Sequence, residues 1–362
     1  MKITFVCPPL SLSGGIRVVA IYAKYLREFG HEVLVVSPPH PAPGRLTRVL
    51  RKLGLPQWPD RAAHPSHLDG EGVAQKTLSM HRAVRARDVP DADVIIATWW
   101  ETAEQIEALP AAKGRKVYFV QHLELFDWMP HDRVVATYAS SMQKIVIAQW
   151  LVKAIESEGN RVGCTVVPNA VDRTQFFAAP RARNARPRIG TLFSDTPFKG
   201  FDVTLKVLEK VRQSMPDVDV VAFGSHAPVT YRDRMHGIEL TVAPPQDRIR
   251  EIYASCDVWL SCSVSEGFNL TAMEAMACRT PVVSTRTGWP EEAIVAGVNG
   301  ALAPVNDAAA LADAVLEILR LPPADWAGLS EGAVRTVSDS SWERSARLFE
   351  AALIRNQTQT PR

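Results

Sequence analysis

The sequence is poor in cysteine. Its five, Cys7, Cys164, Cys256, Cys262 and Cys278, are odd in number and form no CxxC pair. Neither a disulfide framework nor a zinc site follows, and a reducing cytosol is the default compartment. Long apolar runs are also missing, so no stretch reads as a membrane span and any membrane contact is peripheral. The opening MKITFVCPPL holds one Lys and a short apolar run, which Pro8 and Pro9 end too early for a secretory signal. Neither sign of charge is in excess. The 41 Lys and Arg residues stand against 39 Asp and Glu, a net +2, which gives no reason to propose nucleic acid as a partner. Metal ligands are not gathered either. His64, His67 and Asp69 are close in sequence, but in a Pro-rich stretch where they read as solvent-facing residues and not as a metal site.

What is present is a globular composition, 46% hydrophobic and 22% charged, on a chain of 362 residues that is too long for one ordinary domain and suits two. Ile3 to Cys7 is a continuous apolar run, as in a strand buried on both faces. After PPLSLSGG, the apolar residues Ile16, Val19, Ala20, Ala23 and Leu26 recur at helical spacing, Gly30 suits a helix C-terminus, and His31 to Val36 reads as a second strand. A strand–helix–strand unit implies a parallel sheet. Val94–Thr98, Val117–Gln121 and Ile145–Ala148 continue the alternation, while 38–91 is irregular and reads as a surface insertion.

The composition shifts around Gly159 to Pro168, where an inter-domain linker is expected. The alternation then restarts. Strands are expected at Arg188–Leu192, Val218–Phe223, Val258–Ser261, Pro281–Ser284 and Ala301–Ala303, and helices at Asp202–Arg212, Asp247–Ser255, Leu270–Ala277, Ala308–Leu319 and Trp342–Ile354. The fold class is therefore α/β, with two doubly wound Rossmann-like domains spanning 1–162 and 163–340. In such sheets ligands bind outside the carboxyl ends of the strands. Two halves facing a central cleft would carry one substrate on each wall.

The strongest chemical signal is SEGFNLTAMEAMACRTPVV. Glu266 falls in the loop after a strand, and Glu274 about one turn into the next helix. That helix begins near Asn269 to Thr271, so its free backbone N–H groups favour phosphate or sugar oxygens. A carboxylate accepts from two vicinal hydroxyls at once. Two carboxylates there suit a polyhydroxylated ligand that carries phosphate. On spacing alone, a solvated loop acid and an exposed helix acid would serve as well.

The segment resembles the E-x7-E signature of retaining nucleotide-sugar glycosyltransferases of the GT-B fold, family 4 (glycosyl transferases group 1). Other segments agree in order: Gly14–Gly15 after the first strand, VPNAVD (Val167–Asp172), PFKGFD with Lys199, GWPEEAI (Gly288–Ile294), and SWERSARLFE near the end. The resemblance implies that 1–162 is the acceptor-side domain, that 163–340 binds the nucleotide sugar, and that helix 341–362 packs back on the first domain. It also implies the residue roles. Lys199 would pair with the donor diphosphate and neutralise charge on the leaving group. Glu274 would hold the ribose hydroxyls and Glu266 the sugar hydroxyls. Backbone N–H groups of Phe268, Asn269 and Leu270 would fix sugar and phosphate. Gly15 would let its loop approach the diphosphate closely. His122, in FVQHLELF, would face the donor sugar, with Glu124 a weaker acceptor-side candidate.

One departure stands out. The family carries an arginine five residues before the lysine, and here that position is Ser194. Either Ser194, Thr196 or backbone N–H groups take over, or Arg173 or Arg286 reaches in. The resemblance implies a hexosyl or deoxyhexosyl transfer with no bound metal and no cofactor beyond the nucleotide diphosphate-sugar co-substrate. A glycan, glycolipid or natural-product acceptor fits equally. An epimerase or phosphorylase on the same scaffold, or an inactive nucleotide-sugar-binding partner, are the rival readings. Two features concern the acceptor side. Arg45 to Leu55 is a basic amphipathic segment suited to an anionic membrane surface at the inner face of the membrane. It also reads as a packed helix with a solvated edge. Trp99, Trp100 and Trp128 are candidate apolar platforms, each also a candidate for plain core packing.

Overall fold

The computed structural model of the protein describes residues 1–41 and 65–355. The Arg45–Leu55 segment and His64 lie outside these residues. The chain divides into two compact units. Met1–Ile147, Leu151–Val167 and Ser345–Arg362 form the first, and Ala148–Trp150 with Pro168–Arg344 form the second. No described helix is long and apolar enough to cross a membrane.

The first unit holds a seven-stranded sheet. Its strands are β1 (Lys2–Val6), β2 (Glu32–Ser37), β3 (Ala74–Thr77), β4 (Val94–Ala97), β5 (Arg115–Val120), β6 (Gln143–Val146) and β7 (Cys164–Val166), in the order β3-β2-β1-β4-β5-β6-β7. Every neighbouring pair is parallel. Val94, Ile95, Ile96 and Ala97 of β4 are wholly buried, as a strand covered on both faces requires.

Two sequence expectations are corrected here. The stretch read as a surface insertion contributes β3, which pairs with β2 through Leu34↔Ala74 and Ser37↔Thr77. Its residues AQKT are exposed, so an edge strand held by main-chain bonds gave no apolar signal. The segment read as linker contributes β7 on the opposite edge, in register with β6 through Lys144↔Cys164. The first unit therefore runs on to Val167, and the second takes over at Pro168.

From Ser345 on, the helix Trp342–Arg355 completes the first unit. Ala346, Phe349, Ala352 and Leu353 recur at helical spacing and are buried. The Phe349 ring stacks on Tyr22 at 4.6 Å and meets the Phe119 edge at 5.0 Å. Polar ties frame this contact. His31 Nε2 lies 2.7 Å from Glu350 Oε1, and Gln143 Nε2 donates to the Ala352 carbonyl at 3.0 Å.

The second unit holds a six-stranded parallel sheet. Its strands are β8 (Arg188–Leu192), β9 (Asp219–Gly224), β10 (Glu239–Val242), β11 (Val258–Ser261), β12 (Val282–Thr285) and β13 (Gly300–Ala303), in the order β10-β9-β8-β11-β12-β13. Val207, Leu208 and Val211 of one helix and Leu311, Val315 and Leu319 of another share a core with Ile189, Val258 and Leu260. Buried Asp257 ties down the incoming chain by accepting from Arg181, Asn184 and the Arg188 N–H.

Each sheet reverses its winding beside its first strand. β1 lies between β2 and β4, and β8 lies between β9 and β11. At such a switch point the loops leaving neighbouring strands diverge and open a crevice at the carboxyl edge. In the second unit the two loops concerned carry Lys199, after β8, and Glu266, after β11.

Candidate active site

The loop after β8 tightens into the short turn Pro197–Lys199 and then enters the helix Phe201–Ser214 through Gly200. Gly200 has φ +67°, and a Cβ there would sit 2.0 Å from the Cys262 carbonyl oxygen. Only glycine permits both the left-handed backbone and this close approach to β11. A backbone bond from Val264 N–H to the Phe198 carbonyl, 2.8 Å, fixes the two loops together. Lys199 is thereby delivered to Glu266. Its Nζ lies 2.8 Å from Oε1 and 2.9 Å from Oε2, so one ammonium bridges both carboxylate oxygens. Ser263 Oγ donates to Oε1 at 2.7 Å. Glu266 is buried, at 7% side-chain exposure, whereas Lys199 keeps 28%. The cation is thus the solvent-facing member of the pair.

The loop from Glu266 to the next helix is held from several sides. Trp150 donates its indole N–H to the Gly267 carbonyl at 3.0 Å. Phe268 stacks on Trp289, and the Trp289 N–H donates to the Phe268 carbonyl at 2.9 Å. Gly288 makes this possible: at φ +63°, its missing Cβ would lie 2.9 Å from Glu266 Cβ and 3.0 Å from the Phe268 oxygen. Asn269, at φ +77°, caps the helix Leu270–Ala277 by accepting from the Ala272 N–H, and its Nδ2 donates to Ser261 Oγ at 2.8 Å. Glu274 is buried on this helix among Ala272, Met273, Ala275 and Met276, and accepts from Tyr253 Oη at 2.8 Å. The acid is neither solvated nor on an exposed helix face, the plain alternatives to a site.

Ser194 accepts from the Thr196 N–H at 3.2 Å, so its hydroxyl organises its own turn. Of the two candidate arginines, Arg173 bonds the Ser338 carbonyl, while Arg286 leaves the carboxyl end of β12 and is exposed. His226 is brought to the same edge without any sequence signal. It follows β9, the neighbour of β8, and its Nε2 lies 3.1 Å from Asp195 Oδ2, next to Ser194. No motif marks it; the pairing of β8 with β9 brings it there.

In the first unit, Gly14 and Gly15 open the helix Gly14–Glu28 with no acidic residue in its first turn. Neither glycine has a positive φ. A Cβ at Gly14 would meet nothing within 4 Å, and one at Gly15 would make ordinary contact with the Gln121 amide at 3.7 Å. The fold itself does not demand glycine at either place. Gly15 is thereby set beside the loop that carries His122, whose Nδ1 lies 2.8 Å from the Leu123 carbonyl oxygen. Glu124 is a correction. It is 1% exposed, accepting from the Trp100 N–H at 2.7 Å and Tyr118 Oη at 2.9 Å, so it braces the loop and is not placed to touch an acceptor. Burial pushes its carboxyl up to about 8, against the opposing pull of those two donors. Of the candidate platforms, Trp100 is buried with Arg133 over its ring, while Trp128 is 60% exposed. Among the described residues no group of three or more His, Cys, Asp or Glu is placed to hold a metal ion.

Residues 187–320 match the family model described as Glycosyl transferases group 1. This segment is similar to the group 1 glycosyl transferases. The chain is 33% identical over 201 residues to a D-inositol 3-phosphate glycosyltransferase of Arthrobacter sp. (strain FB24), which covers 50% of this chain and 47% of that one. It thus spans about half the length of such curated relatives. A phosphatidyl-myo-inositol mannosyltransferase of Mycobacterium leprae (strain TN) is 27% identical over 350 residues, 88% of each chain. Among solved structures, sucrose-phosphate synthase from Thermosynechococcus elongatus superposes with a TM-score of 0.76 at 16% identity, over 99% of this chain and 100% of that one. HepE of Anabaena in complex with UDP-glucose gives 0.75 at 17%, over 97% and 99%. Likeness at this identity shows the fold, which is GT-B.

Proposed function

We propose that the chain is a retaining glycosyltransferase that moves a hexosyl or deoxyhexosyl group from a nucleoside-diphosphate sugar to an acceptor hydroxyl without a bound metal. The observation that carries this reading is the Lys199–Glu266 bridge at the switch point of the second sheet, with buried Glu274 on the helix that follows. The ammonium faces solvent from a fixed loop, where it can meet a diphosphate and stabilise the charge that grows as the nucleotide leaves. Glu266 then turns from Lys199 to the hydroxyls of the transferred sugar, and Glu274 accepts from the ribose hydroxyls. N–H groups of Phe268, Asn269 and Leu270 add donors at the helix N-terminus. In the first unit, Gly15 leaves room for ligand atoms beside the loop that carries His122. The relatives named for transfer to inositol phosphate and to phosphatidyl-myo-inositol, and the UDP-glucose complex of HepE, support a nucleotide-sugar donor and a polar acceptor hydroxyl. The lipid-linked form of that acceptor is supported by the phosphatidyl-myo-inositol relative.

Serine at 194 supports a second reading, a nucleotide-sugar-binding partner that does not turn over. One experiment separates the two. Thermal stabilisation by a panel of nucleoside diphosphates and their sugars is measured on wild type and Glu274→Ala, followed by product analysis with the donor that stabilises. Stabilisation lost in the variant, with nucleotide released only when acceptor is present, supports transfer. Stabilisation without release under any acceptor supports the partner reading. No stabilisation at all removes both.

A further inference from the structure

The loop after β5 ends in a tight turn closed by the Met129 N–H donating to the Phe126 carbonyl at 2.8 Å. Asp127 and Trp128 are the two central residues of that turn and both are exposed. Trp128 is nevertheless ordered by its neighbours. Its ring lies parallel to that of Phe126, 4.7 Å away with 3° between planes, and Phe126 in turn packs on His122 at 5.0 Å. One indole face is covered by this stack, so the 60% exposure of Trp128 belongs to the rest of the ring. The stack fixes the orientation of the ring, and its open face is free to stack on a ligand that presents a flat apolar surface.

We infer that Trp128 and Asp127 form a subsite for a neutral hexopyranose of the acceptor, with the sugar ring stacked on the indole and its vicinal hydroxyls donating to the Asp127 carboxylate. This rests on the transferase reading and names the acceptor class. Sugar C–H bonds carry partial positive charge because each carbon bears an oxygen, and the indole face is electron-rich. Asp127, the other central residue of the turn, is exposed, and a carboxylate can accept two hydroxyl protons. The local charge argues against the other occupant such a Trp could serve, an anionic lipid surface. Asp127 and Asp132 flank the ring in sequence, and Arg133 is engaged by Glu104 in a two-pronged pair at 3.0 and 2.5 Å. Anionic headgroups would meet like charge here.

The test uses the full chain and three variants: Trp128→Ala, Trp128→Phe and Asp127→Asn. Saturation-transfer NMR is recorded with the methyl glycosides of glucose, mannose, galactose and N-acetylglucosamine, and sedimentation with phosphatidylglycerol vesicles. The expected result is transfer from at least one glycoside in wild type, strongest at ring C–H protons. That signal should fall at least fivefold in Trp128→Ala and return in Trp128→Phe. Asp127→Asn should lower affinity while keeping the C–H pattern. Equal transfer in Trp128→Ala, no transfer from any glycoside, or vesicle binding that needs Trp128 would overturn the inference. Stabilisation by a nucleoside diphosphate, scored on the same variants, reports the second unit separately. Its absence would remove the transferase reading, whereas its presence beside a failed glycoside test would remove only the subsite.

Discussion

Lys199 and Glu266 form a two-pronged ion pair in which the buried partner is the acid and the accessible partner is the base. A ligand phosphate can therefore reach the ammonium without first displacing protein from above it. It would, however, free a buried carboxylate, which needs new donors, and sugar hydroxyls supply them. On the proposed function, donor binding and release of Glu266 would be one event.

Replacement of Lys199 separates catalysis from stability. Lys199→Ala should lower kcat by about 100- to 1,000-fold, the cost of removing one charge-stabilising group. It should also lower Tm, because Glu266 is left buried and unpaired. The double variant Lys199→Met with Glu266→Gln should recover most of the Tm and none of the activity. Recovery of activity in the double variant would show that the pair is structural only.

Glu274 should discriminate through its charge. Glu274→Gln can still accept from Tyr253 Oη, so Tm should change little. Affinity for the nucleoside diphosphate should fall about 10- to 100-fold, the loss of a charged acceptor to paired hydroxyls. Tyr253→Phe should show a smaller loss. Calorimetric titration with the stabilising diphosphate measures all three, and equal affinity in wild type and Glu274→Gln would take the ribose away from Glu274.

Two glycines should respond in opposite ways. Gly288→Ala forces a side chain into a left-handed position against Glu266 and Phe268, and should cost about 1–3 kcal/mol of stability as well as activity. Gly15→Ala meets only the Gln121 amide at ordinary contact distance and lies in a helix, so stability should hold or rise by up to about 1 kcal/mol. Activity should nonetheless fall. A fully active Gly15→Ala enzyme would show that no ligand approaches that residue.

Glu124 gives the first unit a pH-dependent stability. Burial raises its folded-state carboxyl to about 8, above the ordinary carboxylate range, so the folded state holds a proton that the unfolded state releases. Both known donors bond Oε2, which leaves Oε1 to carry that proton. The contribution is full below the ordinary carboxylate pKa and is lost as pH rises toward about 8. Wild type minus Glu124→Gln, compared by thermal unfolding, should fall by roughly 3 °C per pH unit across that window. A flat difference would mean that Glu124 is ionised in the folded protein.

Much of this was legible in the sequence where burial writes a pattern. The runs at Ile3–Cys7, Val94–Thr98 and Val258–Ser261 announce central strands because both faces are covered. Three of the four edge strands, β3, β7 and β10, carry AQKT, CTV and ELTV, whose pairing is main-chain and whose side chains need not be apolar. For the site, Lys199, Glu266 and Glu274 came from motif resemblance. Their mutual arrangement did not, because it depends on β8 and β11 being neighbours despite the long stretch of chain between them. His226 was invisible for the same reason. Glu124 was misjudged because a glutamate in a loop is seldom buried; here Tyr118, Tyr138 and the Trp100 N–H, from three other elements, surround it.

The return of Ser345–Arg362 to the first unit has a consequence for biosynthesis. Phe5, Tyr22 and Phe119 leave the ribosome long before Phe349, the ring that packs against all three. The amino-terminal unit waits with an uncovered aromatic patch while the carboxyl-terminal unit, nearly continuous in sequence, can already close. Of the two units, the one translated first is thus the last to be finished, and during that interval it is the one more in need of a chaperone.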